Sequence, residues 1–378
     1  MAGIYIHIPF CKQACHYCNF HFSTVLKGKN EFSESLLKEI ELRKAYLQGE
    51  EIETIYFGGG TPSLLSVDEI NGILNKLRDS FSISTGVEIT LEANPDDLSL
   101  LFLTELKELG INRLSLGVQS FFEEDLQWMN RAHSAIQALE CINNAKAVGF
   151  SNLSVDLIYG SPTINDSKWK ENVDRVIDLK IPHLSCYALT VEPRTALDSM
   201  IKKNKVPDID SDAQARQFVS LIEWLEKAGY EHYEISNFAL PGNRSRHNSA
   251  YWQGKKYLGL GPSAHSFNGY MREWNISNNA LYTQSIARGI IPSTFEELTV
   301  AQQLNEYIMT SIRTAEGTDL DIIKERFGEE AAMETGKKTD QYIRRQLAFR
   351  KDKSIILTTE GKLFADRIAS ELFHPLSP

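Results

Sequence analysis

The sequence predicts an α/β protein: a partial, TIM-like (β/α)6 barrel followed by a small winged-helix-like α+β domain. Segments rich in β-branched and aromatic residues alternate with helical patterns about six times over residues 1–230. That order is typical of parallel strands joined by right-handed crossovers. The six units contain no dinucleotide-binding fingerprint, which favours a partly closed barrel over a doubly wound sheet.

The predicted strands are short runs of residues that favour extended structure. They are Ile4–Ile8, Thr54–Phe57, Val87–Leu91, Arg113–Val118, Leu153–Ile158 and Leu184–Leu189. The segments between them space their apolar residues three or four apart, as helices do. Ser66 and Glu69 form a capping box ahead of one such helix, and Gly110 and Gly149 are placed to end two others.

Chemically unusual residues follow these strands one after another. Cysteines come after the first strand, Gly58–Pro62 after the second, Glu92 at the third, Gln119 after the fourth and Asp156 within the fifth. In a parallel barrel the carboxyl ends of the strands form one mouth, where active sites gather. We therefore expect these residues to converge in one site.

The alternation stops near residue 230, so we predict three parts: the barrel over 1–230, a connecting segment over 231–291 and the winged-helix-like domain over 292–378. The last part is expected to hold a strand at Ser354–Leu357 and helices at Thr299–Ile312, Asp319–Phe327, Asp340–Phe349 and Lys362–Leu372. DNA-binding domains of this kind are usually basic, whereas residues 291–378 carry 12 basic and 15 acidic side chains. A structural or docking role is favoured.

Composition excludes several classes of protein. Of 378 residues, 42% are hydrophobic and 24% are charged, which is ordinary for a globular chain. The net charge of −10 disfavours a nucleic-acid partner. No apolar run approaches the ~18 residues of a membrane span. Met1–Pro9 lacks the features of a signal peptide, so a cytoplasmic location is expected.

Three of the five cysteines fall within eight residues: the set is Cys11, Cys15, Cys18, Cys141 and Cys186. The first three can bring thiolates to one metal centre, and iron–sulfur clusters usually take four. Three thiolates would leave one iron of the cluster with an open coordination position. As at catalytic zinc sites, an open position is typical of a reactive metal site rather than a structural one. The alternatives are a structural zinc site completed by His16 or His21, or cysteines buried by chance. The other two cysteines have the character of small buried apolar residues.

The polar residues at the predicted mouth have a joint interpretation. Glu92, Gln119, Arg131 and Asp156 could each be structural, and Gly58–Gly60 could be a simple turn. Together they match a cofactor that carries an amine, a carboxylate, a ribose and an adenine. A carboxylate accepts from ribose hydroxyls, an arginine pairs with a carboxylate, and glycines allow close backbone approach.

A second candidate site centres on His247, which lies near Tyr251 and Trp252. A lone histidine in such a polar segment is most often hydrogen bonded and structural. The functional alternative is an axial ligand to haem iron, with the aromatic rings against the macrocycle.

The Cys11-x-x-x-Cys15-x-x-Cys18 pattern resembles that of the radical S-adenosylmethionine superfamily. This resemblance implies a [4Fe–4S] cluster whose fourth iron is chelated by the methionyl group of S-adenosylmethionine. Four further stretches resemble the coproporphyrinogen III dehydrogenase-like (HemN-like) group: Tyr5–Cys11, Gly58–Ser63, Arg113–Phe121 and Val155–Gly160. Residues 259–265 and the C-terminal part continue the likeness.

Two features indicate a branch within that group. The true dehydrogenase has a further cysteine where this chain has Phe20, and Arg246–Trp252 resembles the His-Asn-x-x-Tyr-Trp motif of the haem chaperone (HemW) branch. The resemblance implies haem binding and haem delivery to acceptor proteins such as respiratory enzymes, with peripheral contact to membrane proteins possible. It does not imply porphyrinogen decarboxylation. The alternative is an oxygen-independent coproporphyrinogen III oxidase, which would be an enzyme of porphyrin biosynthesis.

The resemblance assigns three sets of site residues. The cluster ligands are Cys11, Cys15 and Cys18. The S-adenosylmethionine set is Tyr5, Tyr17, Gly59, Gly60, Thr61, Glu92, Gln119, Arg131 and Asp156, and it serves one or two molecules. The haem set is His247, Asn248, Tyr251 and Trp252.

Overall fold

A computed structural model describes residues 2–375 and contains the six parallel strands that the sequence predicts. Each extends the predicted segment or matches it to within a residue. The strands are β1 Ala2–Ile8, β2 Ile52–Gly59, β3 Ile83–Ala93, β4 Arg113–Gln119, β5 Asn152–Tyr159 and β6 His183–Ala188. They pair in chain order, so their carboxyl ends lie at the same edge.

The sheet continues beyond these six strands on both sides. On the β1 side lie β9 Tyr257–Leu260, β10 His265–Phe267, β11 Met271–Asn275 and β12 Ser293–Glu297, and on the β6 side lie β8 Asn237–Ala239 and β7 Glu231–Glu234. Strand β9 is parallel to β1, and the other added strands are antiparallel to their neighbours. The twelve-stranded sheet runs from β12 to β7 without closing, so the predicted partial barrel is confirmed.

Helices connect the strands. They are α1 Lys29–Leu42, α2 Val67–Ser80, α3 Leu100–Glu108, α4 Glu123–Trp128, α5 Ala135–Val148, α6 Asp166–Asp178, α7 Ala196–Lys202, α8 Ser211–Lys227, α9 Arg246–Trp252 and α10 Asn279–Ala287. The capping box of Ser66 and Glu69 is present at the start of α2. Gly149 ends α5 with a φ of 93°, a left-handed conformation that favours glycine. Among residues 2–375, no helix has both the length and the apolar character needed to cross a bilayer.

Helix α9 covers the amino-terminal end of the barrel. The backbone N–H groups of Arg246 and His247 donate to Glu88 Oε1 of β3, at 3.0 and 3.2 Å. The His247 ring lies so close to β1 that a Cβ on Gly3 would come 3.2 Å from it. The motif helix therefore lies at the end opposite the carboxyl edge of the strands.

The C-terminal part packs a separate small core. Its elements are α11 Val300–Ser311, β13 Thr318–Asp319, α12 Leu320–Phe327, α13 Glu329–Arg344, β14 Ala348–Lys351, β15 Ser354–Leu357, α14 Thr359–Lys362 and α15 Ala365–Leu372. The three strands form an antiparallel sheet in the order β13-β15-β14. Helices followed by a small ribbon are what the sequence predicts.

Two predicted elements of this part differ from the structure. The expected helix Lys362–Leu372 is divided, since Lys362 ends α14 and α15 begins at Ala365. The expected helix Asp340–Phe349 is instead the end of α13, and Phe349 lies in strand β14. Gln346 adopts a φ of 59°, and the Leu347 N–H donates to the Tyr342 carbonyl, so the chain reverses there into the hairpin. The start of α13 is hard to recognise because Gly336 lies within it, and glycine disfavours helix interiors.

Candidate functional site

A cavity of about 390 Å³ opens at the carboxyl ends of the barrel strands. It brings together residues from the ends of all six strands, as the sequence predicts. The lining includes Cys11, Cys15, Tyr17, Cys18, Phe20, Gly59, Gly60, Thr61, Glu92, Asn94, Ser115, Gly117, Gln119, Arg131, Asp156 and Tyr187. All three cysteines of the motif and eight of the nine residues expected to hold S-adenosylmethionine thus face one space.

Tyr5 is the ninth residue of that set, and it lies just below the cavity. Its ring is close enough to β2 that a Cβ on Gly58 would meet Tyr5 Cε2 at 3.0 Å and Glu92 Cδ at 3.2 Å. Tyr5 therefore packs beneath Glu92 rather than lining the open space.

The loop that carries the cysteines is closed at its base. The Cys11 N–H donates to Ser23 O at 3.0 Å, and the Ser23 N–H donates to Pro9 O at 2.9 Å. Farther along, Asn130 Nδ2 donates to Ala14 O at 2.7 Å. These hydrogen bonds fix both ends and the middle of the loop, so the cysteines face the cavity in a defined arrangement.

Each of two cysteine sulfurs has a polar neighbour. Thr61 Oγ1 donates to Cys11 Sγ at 3.4 Å, and Arg131 Nη1 donates to Cys15 Sγ at 3.2 Å. Burial raises the pKa of Cys11, and it raises the pKa of Cys18 to about 11. These thiols keep their protons at neutral pH until a metal replaces them, so metal loading releases protons.

The geometry fits a cluster better than a structural zinc ion. His16 Nδ1 lies 2.8 Å from Trp128 O, His21 Nε2 lies 2.7 Å from Asn279 Oδ1, and neither histidine lines the cavity. Within residues 2–375, no three His, Cys, Asp or Glu side chains are placed to share one metal ion. A four-iron cluster does not require such convergence, because each thiolate binds a different iron.

Two glycines let the backbone of the β2 turn approach the cysteine loop closely. Gly59 has a φ of 102°, a conformation that side chains rarely adopt. A Cβ on Gly60 would lie 2.6 Å from Phe10 O and 2.8 Å from Ile8 O, so only glycine fits there. The turn thus forms a narrow cradle directly beside the cysteines.

Two carboxylates form the polar floor of the cavity. Tyr56 OH donates to Glu92 Oε1 at 2.7 Å, and Ser115 Oγ donates to Asp156 Oδ1 at 3.3 Å. Burial raises the pKa of Glu92 to about 7 and that of Asp156 to about 6. Their remaining acceptor sites suit the amine and the ribose hydroxyls of the expected cofactor.

Arg131 links the cysteine loop to β4. Its Nη2 donates to Asn94 Oδ1 at 2.6 Å and to Gly117 O at 2.8 Å, while Nη1 reaches Cys15. Its Nε is buried and has no hydrogen-bond partner within residues 2–375. A buried donor without an acceptor at a cavity wall is suited to a ligand carboxylate.

The histidine motif lies apart from this cavity. His247 is 2% exposed, with Nδ1 2.8 Å from Thr54 Oγ1 and Nε2 2.9 Å from Tyr251 OH. Its ring stacks on Tyr56 at 5.0 Å, and burial lowers its pKa to about 3. Trp252 packs instead beneath the Arg313 guanidinium. With both ring nitrogens occupied, this geometry favours the structural alternative for His247, whereas the haem-ligand role stays a prediction.

Sequence reasoning did not single out several residues that shape the cavity. Tyr56 orients Glu92. Asn94, which follows the third predicted strand together with Glu92, is noted from the sequence without a role, and it holds Arg131. Ser115 points inward together with Gly117 and contacts Asp156. The two-residue period of strand β4 could have identified Ser115, because it alternates in step with Gln119. No local signal marks Tyr56, whose partner is 36 residues away.

The raised pKa of Glu92 makes the stability of the protein depend on pH. Between the ordinary value of 4.5 and about 7, the folded protein holds a proton that the unfolded chain has lost. This group therefore lowers the free energy of unfolding as pH rises, by on the order of 3 kcal/mol in total. We expect Glu92→Gln to stabilise the ligand-free protein at pH 8 but not at pH 4.5 in urea unfolding. Equal effects at both pH values would contradict this, and exposed Glu108→Gln is the control.

Comparison with known proteins gives one family model and relatives that match over nearly the whole chain. The model of the radical SAM superfamily matches residues 5–176. The chain is 33% identical to the heme chaperone HemW of Mycobacterium tuberculosis (strain ATCC 25618 / H37Rv), covering 98% of this chain and 94% of that protein. It is 30% identical to the heme chaperone HemW of Bacillus subtilis (strain 168), covering 97% and 98%.

A solved structure shares the fold over nearly the whole chain. It is the coproporphyrinogen III oxidase (HemN) from Escherichia coli, a radical SAM enzyme, with a TM-score of 0.85 and 24% sequence identity. The match covers 98% of this chain and 90% of that one. At this identity the likeness concerns the fold.

Proposed function

Because the chain belongs to the radical SAM superfamily and, within it, to the family of the heme chaperone HemW, we propose that it binds haem and passes it to acceptor proteins. A [4Fe–4S] cluster and S-adenosylmethionine at the barrel mouth are part of this proposal. The two groups supply radical chemistry when bound together. Respiratory haem enzymes are the expected class of acceptor.

The cavity residues have separate proposed tasks. Cys11, Cys15 and Cys18 hold the cluster and leave one iron for the cofactor. Glu92 accepts hydrogen bonds from the amine of S-adenosylmethionine, and Asp156 accepts them from the ribose. Both tasks need the ionised form of the carboxylate, and both side chains open onto the cavity.

The observation that carries the choice of a chaperone is Phe20. This side chain lines the cavity and is 67% exposed, at the position where the true dehydrogenase has a further cysteine. A single exposed ring is common on protein surfaces, so it is the position of Phe20 at the cavity rim that supports the choice. Phe20 cannot supply the thiol chemistry that a cysteine there would offer.

Coproporphyrinogen III oxidation is the second candidate, favoured by the fold shared with the Escherichia coli enzyme. At 24% identity that likeness concerns the fold and does not assign the reaction. The two functions differ in what happens to the bound tetrapyrrole. A chaperone releases it chemically unchanged, whereas the oxidase removes carboxyl groups from its side chains.

The test uses anaerobically reconstituted full-length protein. One sample is mixed with haem, and a second is mixed with coproporphyrinogen III, S-adenosylmethionine and a reductant. We expect a stable haem spectrum that transfers to an apo-haem protein, and no vinyl-bearing product in the second sample. Decarboxylated product would overturn the chaperone proposal, and so would the absence of a haem spectrum.

A further inference from the structure

Arg113 is a buried cation without a protein partner. It is the first residue of β4 and is 1% exposed, and its Nε, Nη1 and Nη2 atoms have no hydrogen-bond acceptor within residues 2–375. Thr90 Oγ1, across the β3–β4 pair in register with Arg113, is likewise buried and unpartnered. A guanidinium stays charged, and burying one without acceptors is costly, so its presence deep in the barrel calls for an explanation.

Several titratable groups surround this guanidinium inside the barrel. Those that feel its charge are Tyr56 of β2, Glu92 of β3, Asp156 of β5, His183 of β6, Tyr233 of β7 and His247 of α9. The tyrosines and histidines are neutral, because burial raises the pKa of the former and lowers that of the latter. Glu88 and Glu234 also act on Tyr233, and Arg131 also acts on Asp156. Of the carboxylates, Glu92 and Asp156 face the cavity.

We propose that Arg113 is a positioning residue for S-adenosylmethionine: from below the cavity, its fixed positive charge keeps Glu92 and Asp156 in the carboxylate form. Only that form accepts hydrogen bonds at both oxygens, as the amine and ribose hydroxyls require. The inference rests on the proposed function, because it takes S-adenosylmethionine as the occupant of the cavity.

Strand register places Arg113 one step below the two carboxylates. It pairs with Thr90, two residues before Glu92 on β3, and Ser115, two residues after Arg113 on β4, contacts Asp156. The electrostatics of the two carboxylates agree with this placement. Burial, together with the like charge of Asp156, raises the pKa of Glu92 to about 7 even with Arg113 beneath it. Arg113 opposes that rise in both groups. Because charges interact strongly in a barrel interior shielded from bulk water, removing Arg113 would raise the pKa of both acids.

Arg131 does not duplicate this charge. Its Nη1 and Nη2 atoms are committed to Asn94, Gly117 and Cys15, whereas no guanidinium nitrogen of Arg113 has an acceptor within residues 2–375. Arg131 also lies at the wall of the cavity, where the ligand itself would compensate its charge. Arg113 is therefore the charge that acts from beneath on both carboxylates.

The experiment measures S-adenosylmethionine affinity between pH 6 and 9 by calorimetry on anaerobically reconstituted protein. Affinity of the wild type is expected to rise through pH 7 and level off. In Arg113→Met the midpoint moves up by about one pH unit, so affinity falls about tenfold at pH 6, below both midpoints, and about twofold at pH 8. Arg113→Lys keeps the charge and the wild-type profile.

A second measurement does not depend on the cofactor. The infrared band of a protonated carboxylic acid is expected in ligand-free Arg113→Met at pH 8 and absent in the wild type. Adding Glu92→Gln to Arg113→Met should reduce the band. If Arg113→Met does not fold, the double variant Glu88→Gln/Arg113→Met removes one buried charge of each sign and takes its place.

The outcomes separate the two proposals. An Arg113→Met protein with normal cluster content, an unshifted pH midpoint and no carboxylic acid band would overturn the role of Arg113 and leave the haem chaperone proposal intact. A wild type that binds no S-adenosylmethionine at any pH would overturn the cofactor part of the proposed function. In that case the infrared band alone decides whether Arg113 holds the carboxylates ionised.

Discussion

Cys15→Ala is expected to abolish the iron–sulfur absorbance of the reconstituted protein. Two thiolates hold a four-iron cluster poorly, and the lost sulfur is the one that Arg131 contacts at 3.2 Å. The Arg131 guanidinium would also lose that contact. The measurement is the visible spectrum and the iron content after anaerobic reconstitution, compared with wild-type protein prepared in parallel.

Cys141→Ala and Cys186→Ala are the matched controls. Both cysteines are buried in the main core, away from the cavity lining, in α5 and β6 respectively. Each substitution removes a small apolar group from packing and leaves the three clustered thiolates in place. Loss of the cluster in Cys186→Ala would indicate a fourth thiolate ligand and would overturn the open-iron interpretation.

His247→Ala is expected to lower the free energy of unfolding by about 3–5 kcal/mol. The substitution empties the space of a fully buried ring that stacks on Tyr56. It also removes the partners of Thr54 Oγ1 and Tyr251 OH, which then stay buried without a hydrogen bond. Urea unfolding measures the loss, and His265→Ala, at an exposed histidine of β10, should change stability far less.

The haem spectrum of the same variants decides between the two interpretations of the motif. An axial ligand at His247 requires the Soret band to shift in folded His247→Ala, with cluster content unchanged. If His247 has only a structural role, the haem spectrum of folded His247→Ala is unaltered. A Soret shift in His265→Ala would then identify His265 as the ligand. Unchanged stability in His247→Ala would contradict the packing described above.

The barrel was predictable from the sequence because its signals are local. Each parallel strand is a short apolar or β-branched run, and capping residues such as Ser66 and Gly149 mark helix ends within a few residues. The convergence of Cys11, Glu92 and Asp156 followed from topology alone, since parallel strands share one carboxyl edge. Neither inference needs a long-range contact to be known in advance.

Other features depend on contacts that no local pattern reveals. The sequence leaves the environment of His247 open, because its partner Thr54 is 193 residues away. The burial of the Arg113 guanidinium was equally unpredictable from the local sequence, because an arginine is mostly exposed. The hairpin after α13 was missed because it depends on a left-handed residue that is not glycine, Gln346.

The pairing of β1 with β9 sets the order in which the chain can complete its fold. Tyr5 pairs with Gly259, 254 residues later, so one edge of the first strand has no partner until most of the protein has been made. At ~5–20 residues per second, that interval lasts roughly 10–50 seconds on the ribosome. An unpaired strand edge is a template for aggregation, so the nascent chain is most vulnerable before β9 emerges. Slowed synthesis between β2 and β9 should therefore lower the yield of native protein, although the mature fold would be unchanged.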